Sequence, residues 1–186
     1  MWKYIDKEKS KEFLLSLGLL NDNISDKDKI IKLMGRDDLA DKWDKLTYLA
    51  DKFYELTKQF IIPIACELKI FDEETRVAGA VDLLAYHIDS GELVIIDYKS
   101  NKEIQRYNAY NEYMLKPLQH LPDINYYHYS LQLNGYQYII EKNTHLKLRN
   151  NHFIIWINEK NDEAKIFMTQ NLIKEASWMI ENERFV

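Results

Sequence analysis

The chain predicts an α/β fold (α+β-like): a mixed central β-sheet, built around an antiparallel three-strand meander and flanked by helices. Three observations carry this expectation. Apolar residues recur at helical spacing up to residue 60, three strand-like runs separated by turn signals follow between 64 and 99, and helical and strand-like patterns then alternate to residue 182. With 186 residues, 46% of them apolar, the chain can bury one core, so a single domain over 1–186 is expected, with accessory N-terminal helices over 1–36 and a core over 37–186.

In order, residues 7–17 and 26–34 read as short helices, the second with Ser25 as N-cap and Gly35 as its stop. From Asp38 to about Phe60, the series Leu39, Trp43, Leu46, Leu49, Phe53, Leu56 and Phe60 draws one long amphipathic helix, ended by Pro63. Strands are expected near 64–71, 76–87 and 93–99, separated by the turn-like 72–75 and 89–92. The run Leu93-Val-Ile-Ile is apolar on both faces and should be central. Residues 101–121 have no clean period and read as a long excursion with some helix, expected to act as a lid over a substrate. Asp123 should cap a helix running to about Glu141, followed by a hairpin near 152–158 and 163–168 and a last helix over about 170–182.

Composition excludes several classes. The start, Met1 to Ser10, is charged where a secretory leader would be apolar, and the longest apolar run, Phe60 to Cys66, is too short to span a bilayer, so a cytoplasmic protein with no membrane partner is expected. Cys66 is the only cysteine, which rules out an internal disulfide and any iron–sulfur cluster held by this chain's own cysteines. It reads as a buried thiol. A net charge of −5 argues against broad non-specific binding to phosphates, although acids gathered around a metal would be neutralised by it. The abundance of Lys, Asn, Ile and Tyr points to a low-GC bacterium or its virus.

Four fragments carry the chemistry: Glu67, the Gly79-Ala-Val-Asp82 run, Asp97-Tyr98-Lys99, and Gln132-Leu-Asn-Gly-Tyr136. If Ser90-Gly91 is a two-residue hairpin loop, Asp89 pairs with Glu92, Asp82 falls opposite Lys99, and Asp97 is its diagonal neighbour. With Phe71 opposite Arg76, Glu67 falls opposite Ala80 and diagonal to Asp82. Three acids and a lysine then share one sheet face, a set suited to holding a divalent cation against a phosphodiester. An odd loop would split Asp82 from Asp97 unless a bulge compensated. Gln132 and Tyr136, at i and i+4, share a helix face.

This pattern, Glu67, Gly-x-x-Asp82, Asp97-x-Lys99 and Gln132-x-x-x-Tyr136, resembles the PD-(D/E)xK nuclease superfamily, in particular its RecB-like branch with phage exonucleases. The likeness covers roughly Ile62 to Glu141. It implies a restriction-endonuclease-like core, with Asp82, Asp97, Glu67 and the Tyr98 carbonyl as ligands of one or two Mg²⁺ or Mn²⁺ ions. It further implies that Lys99 positions or polarises the attacking water, while Gln132 and Tyr136 steady the site. The helix motif with a histidine that many RecB-like enzymes carry upstream has no match; Asp51 or Glu55 could stand in its place. No helicase motif is present.

The expected activity is a metal-dependent deoxyribonuclease, an exonuclease of DNA recombination, repair or degradation in a bacterial or phage-infected cell, acting on DNA and with a recombination or replication protein as partner. The alternative is an inactive nucleic-acid-binding or interaction module on the same scaffold. Lys102, Arg106, Lys142, Lys147 and Arg149 are the candidate phosphate contacts. Simpler readings remain open: Glu67 beside Lys69 as a solvated pair, Gln132 and Tyr136 as core-edge polar residues, the tyrosines of 126–138 as packing, and the histidines as surface or turn residues.

Overall fold

The computed structural model describes residues 40–158 and 160–182; the expected helices over 7–17 and 26–34 lie outside them. Among the described residues the order is α1 (Ala40–Thr57), β1 (Ile61–Asp72), β2 (Val77–His87), β3 (Glu92–Lys99), α2 (Asn125–Asn143), β4 (Phe153–Trp156), β5 (Lys165–Met168) and α3 (Ile173–Asn182). The strands form one mixed sheet in sequence order, β1-β2-β3-β4-β5. β1, β2 and β3 run antiparallel as a meander, β4 joins β3 in parallel after the α2 crossover, and β5 returns antiparallel to β4.

The doubly apolar β3 is central because each face of the sheet has its own helix layer. On one face Val94 and Ile96 meet Leu49 and Phe53 of α1, with Leu83, Ala85, Ile155 and Ile157 completing the cluster. On the other, Ile95 meets Leu133, Ile139 and Ile140 of α2, together with Val81, Leu84 and Ile154. A third cluster joins α2 and α3 through Leu131, Leu172 and Ala176.

Several local expectations change. Helix α1 stops at Thr57, whose hydroxyl turns back onto the Phe53 carbonyl at 2.9 Å, so Phe60 lies beyond it; Leu56, in its last turn, is exposed. Pro63 sits within β1, next to a register shift between Pro63 and Ala65; β1 is an edge strand, where a missing N–H costs no ladder bond. Asp123 does not cap α2: Ile124 holds the cap position without a side-chain bond, and Asp123 instead meets His128 at 2.6 Å. The 101–121 excursion contains no helix. Its second half folds onto α2 and α3 through Met114, Leu118 and Leu121, because these spaced apolar residues have a core of their own to fill.

His152 is fully buried, which corrects its surface reading. Its Nδ1 accepts the Ile95 N–H at 3.3 Å, which leaves Nε2 to donate to Gln137 Oε1 at 3.0 Å; Gln137 in turn donates to Glu141. The ring thus closes β3 just before β4 begins to pair with it. Burial pulls its pKa down to about 3, so the imidazole is neutral in the fold.

A neutral buried histidine binds no proton where the unfolded chain, with a pKa near 6.5, does. Stability contributed by His152 is therefore present above pH 6.5 and falls as the pH drops from there toward about 3. Thermal melts of the wild type should lose Tm through this window, and His152→Gln should flatten that slope whatever its absolute stability. An unchanged slope would show that other groups set the acid limb.

Candidate active site

Strand alternation breaks at one level of the sheet. Leu68 and Val81 pack toward α2, whereas Cys66 and Leu83, two positions along each strand, pack toward α1; Ala65 and Leu84 then face α2 again. A regular strand keeps i and i+2 on one face, so both strands flip between these pairs. Glu67 and Asp82 occupy the flip, between the paired Cys66↔Leu83 and Leu68↔Val81. Glu67 has φ 51°, the left-handed region that a β-carbon disfavours, and such strain persists only where surrounding structure imposes it.

The pairings differ from the expected ones. His87 pairs with Glu92 across a four-residue loop, not Asp89 with Glu92 across two, and Asp72 rather than Phe71 flanks the first turn, opposite Val77. Each register slides by two positions, so parity is kept. Glu67 lies level with Asp82 instead of Ala80. Asp82 falls level with Asp97 rather than Lys99, just past the last β2–β3 pair, Leu83↔Ile96.

Where that ladder ends, Asp82 takes over: its Oδ2 accepts the Tyr98 N–H at 2.8 Å. Asp97 and Lys99 lie on the α2 side of β3. The Asp97 carboxylate is only 3% exposed, and Lys99 Nζ stands 2.5 Å from its Oδ2. The two form a buried, charge-assisted pair. Burial foremost pushes the Asp97 pKa up, aided by Asp82, while Lys99 pulls it down. On the far side of β3, Tyr98 packs edge-on against Phe53, and burial raises its hydroxyl to about 12.

Helix α2 covers this pair with a residue that sequence reasoning passed over as packing. The Tyr129 ring lies 4.8 Å from Lys99 Nζ, so the ammonium is held between a carboxylate and an aromatic face. Tyr129 is one turn ahead of Leu133 on the buried face, which was the available signal. Gln132 and Tyr136 bond to each other at 3.0 Å, and neither hydrogen-bonds to Asp82, Asp97 or Lys99. Tyr136 lies flat on Gly79, where a β-carbon would overlap its ring. That contact explains the glycine three residues before Asp82.

The candidate cations are dispersed. Lys142 is bound by Asp72 at 3.0 Å and Glu74 at 2.8 Å, which together push its pKa up. Lys147 reaches Glu141 at 3.5 Å, and Arg149 covers the Phe153 ring. The Arg149 N–H bonds the Leu93 carbonyl, at the opposite end of β3 from Lys99, roughly 20 Å away at strand rise. Arg106 lies over Tyr126 and Phe167, and Lys102 is exposed in the loop after β3. Asp51 and Glu55 belong to α1, on the other face of the sheet from Asp97. Cys66 is half-buried against the α1 cluster.

The residues fit a hard cation in part. Asp97 offers a buried carboxylate whose charge burial disfavours, beside Asp82, with Lys99 already against one of its oxygens. Glu67, exposed and level with Asp82, has no bond to either, and among the described residues no three His, Cys, Asp or Glu side chains converge on one point.

Replacing Tyr129 with Leu should loosen Lys99 while keeping an apolar core contact. If the reaction needs that ammonium in place, kcat should fall about tenfold with KM little changed, and Tyr129→Phe should retain activity because it keeps the ring face. Equal loss in both variants would assign Tyr129 a packing role only.

The model for the PD-(D/E)XK nuclease superfamily matches residues 11–178 of the chain. No curated protein matches it.

Proposed function

The chain belongs to the PD-(D/E)XK nuclease superfamily, and on that premise we propose that it is a Mg²⁺- or Mn²⁺-dependent deoxyribonuclease of RecB-like, exonucleolytic type. The observation that supports this most is the end of β3, where Asp97 and Lys99 stand together in a buried setting next to Asp82. Burying a carboxylate and an ammonium costs several kcal/mol per ion before their attraction is counted, so a fold keeps such a pair where it has a use.

In this reading Asp82 and Asp97 hold the cation, with Glu67 and the Tyr98 carbonyl as further oxygen donors. When bound, the ion supplies charge neutralisation at the phosphate and a lowered pKa for water. The rest falls to the protein. Asp82, through the Tyr98 N–H, fixes the last turn of backbone that aims Asp97 and Lys99. Lys99 holds an ammonium where it can donate to the attacking water or a non-bridging phosphoryl oxygen, and Tyr129 keeps it there. Attack of water at phosphorus forms one P–O bond as the bond to the leaving oxygen breaks in line; the water gives up its proton to solvent and the leaving oxygen takes one from solvent. Gln132 and Tyr136 act at one remove, by seating α2 on Gly79.

A second reading, a nucleic-acid-binding module without chemistry, draws on the dispersed acids: among the described residues no three-acid cluster is formed. The two readings separate on metal and on turnover. For the enzyme, Mn²⁺ should raise the Tm of the wild type and not of an Asp82→Asn, Asp97→Asn double variant, since only a ligand of the native state stabilises it. Labelled DNA should release nucleotides in Mg²⁺ or Mn²⁺ and not in EDTA.

Lys99→Ala should cut kcat by about a hundredfold or more while leaving DNA affinity near wild type, because its ammonium acts on charge developing in the transition state. Wild-type turnover by that variant would remove Lys99 from the mechanism. No metal-dependent release by the wild type would favour the binding module.

A further inference from the structure

The loop that leaves β3 carries two aromatic rings with no structural employment. Tyr107 is 82% exposed and Tyr110 81%, more than any buried or half-buried tyrosine of α2 by a wide margin. The loop beneath them is braced. Trp156 Nε1 and Asn158 Nδ2 both donate to the Asn101 carbonyl, at 2.8 and 2.9 Å. Asn125, the first residue of α2, accepts the Gln105 N–H at 2.7 Å and donates to the Glu103 carbonyl at 3.0 Å. Asn108 closes the far side by accepting the Glu112 N–H at 3.0 Å and donating to its carbonyl at 2.6 Å.

The braces at Asn101 and Asn125 tie the start of the loop to the candidate site. Trp156 is the register partner of Lys99. Asn125 lies one helical turn before Tyr129, the residue that covers Lys99. Two rings are therefore displayed in solvent from a backbone anchored beside the reactive lysine.

Charge bears on what could occupy them. The chain is net negative at −5, and Lys142 is engaged by acids, so the cations this loop itself offers are the exposed Lys102 and Arg106. Phosphate attraction alone gives a weak hold. Stacking on a tyrosine face does not depend on net charge and is worth roughly five- to 150-fold in affinity per base. Bases inside a duplex have both faces covered by neighbours, so only unpaired bases can use such rings.

We propose that Tyr107 and Tyr110 form a stacking platform for unpaired bases, and that the substrate class of this protein is single-stranded DNA or a single-stranded end. The proposal rests on the nuclease reading for the direction in which the strand then runs, toward Lys99. It requires affinity to follow bases rather than phosphates.

The test is fluorescence anisotropy in Ca²⁺ with a labelled single strand, a strand of equal length and charge made of abasic sites, and a blunt duplex. The proteins are wild type, Tyr107→Phe with Tyr110→Phe, and Tyr107→Leu with Tyr110→Leu. Both rings are more than four-fifths exposed, so the variants should fold. The wild type and the Phe variant should bind the base-bearing strand at least about fivefold tighter than the abasic one, and the Leu variant should lose that preference with duplex binding unchanged.

The proposal is overturned if the Leu variant binds the single strand as wild type does, or loses the base-bearing and abasic strands equally. It is also overturned if sedimentation shows that the rings join two copies of the chain and that the Leu variant is the monomer. Cleavage in Mg²⁺ separates this from the nuclease reading. Cleavage by the wild type with an indifferent Leu variant defeats the platform alone. A base preference without cleavage leaves the platform standing and defeats the nuclease reading.

Discussion

The candidate site depends on one hydrogen bond at one break in the sheet. β2 stops pairing with β3 after Leu83↔Ile96, and the next N–H along β3, that of Tyr98, would be left without a ladder partner. The Asp82 carboxylate fills the vacancy at 2.8 Å. An acceptor that is itself ionised makes a stronger bond than a carbonyl would, so the end of β3 is held more firmly than an ordinary fraying strand. Asp97 and Lys99 flank Tyr98 on both sides, and their aim is set by this clamp. The same level of the sheet contains the left-handed Glu67 and the double flip in alternation. A regular meander would have carried Asp82 out of the sheet plane, onto one face; the flip is what lets its side chain lie along the strand end.

The second constraint is electrostatic. Burial raises the Asp97 pKa, and Lys99 opposes that shift from 2.5 Å. The ammonium thus stands in for a cation at a carboxylate that water cannot serve. The same ammonium also lies 4.8 Å from the centre of the Tyr129 ring. A strongly hydrated ammonium gains less from a ring than from water, so the aromatic contact guides the lysine without trapping it.

How much of this the sequence disclosed follows from what periodicity can carry. The helix–meander–helix–hairpin–helix order was legible because each element has its own apolar period and its turns are marked by Asp, Glu, Ser and Gly. Parity also survived: a four-residue loop and a two-residue loop place the same residues level to within two positions, which is why Asp82 and Asp97 were expected together. The exact partners were not legible, since loop length is decided by the His87↔Glu92 pairing and no residue type announces it. The flip at Glu67 was invisible, because glutamate is not a residue whose presence signals positive φ. His152 misled for a related reason. A single histidine carries no spacing, and only the fold shows that Ile95 and Gln137 meet its two nitrogens.

A count of charges does not say what each cation does in the fold. Lys142 reads as a surface cation after a helix, yet it completes a buried carboxylate: Asp72 is only 2% exposed and accepts from Thr75, Lys142 and Asn143, which together hold its pKa below the usual range despite burial. That lysine locks the first turn of the meander to the end of α2. Lys147 and Arg149 lie at the start of β3, a strand length away from Lys99. What remains beside Lys99 is a braced loop that displays two exposed rings, Tyr107 and Tyr110, together with the exposed cations Lys102 and Arg106.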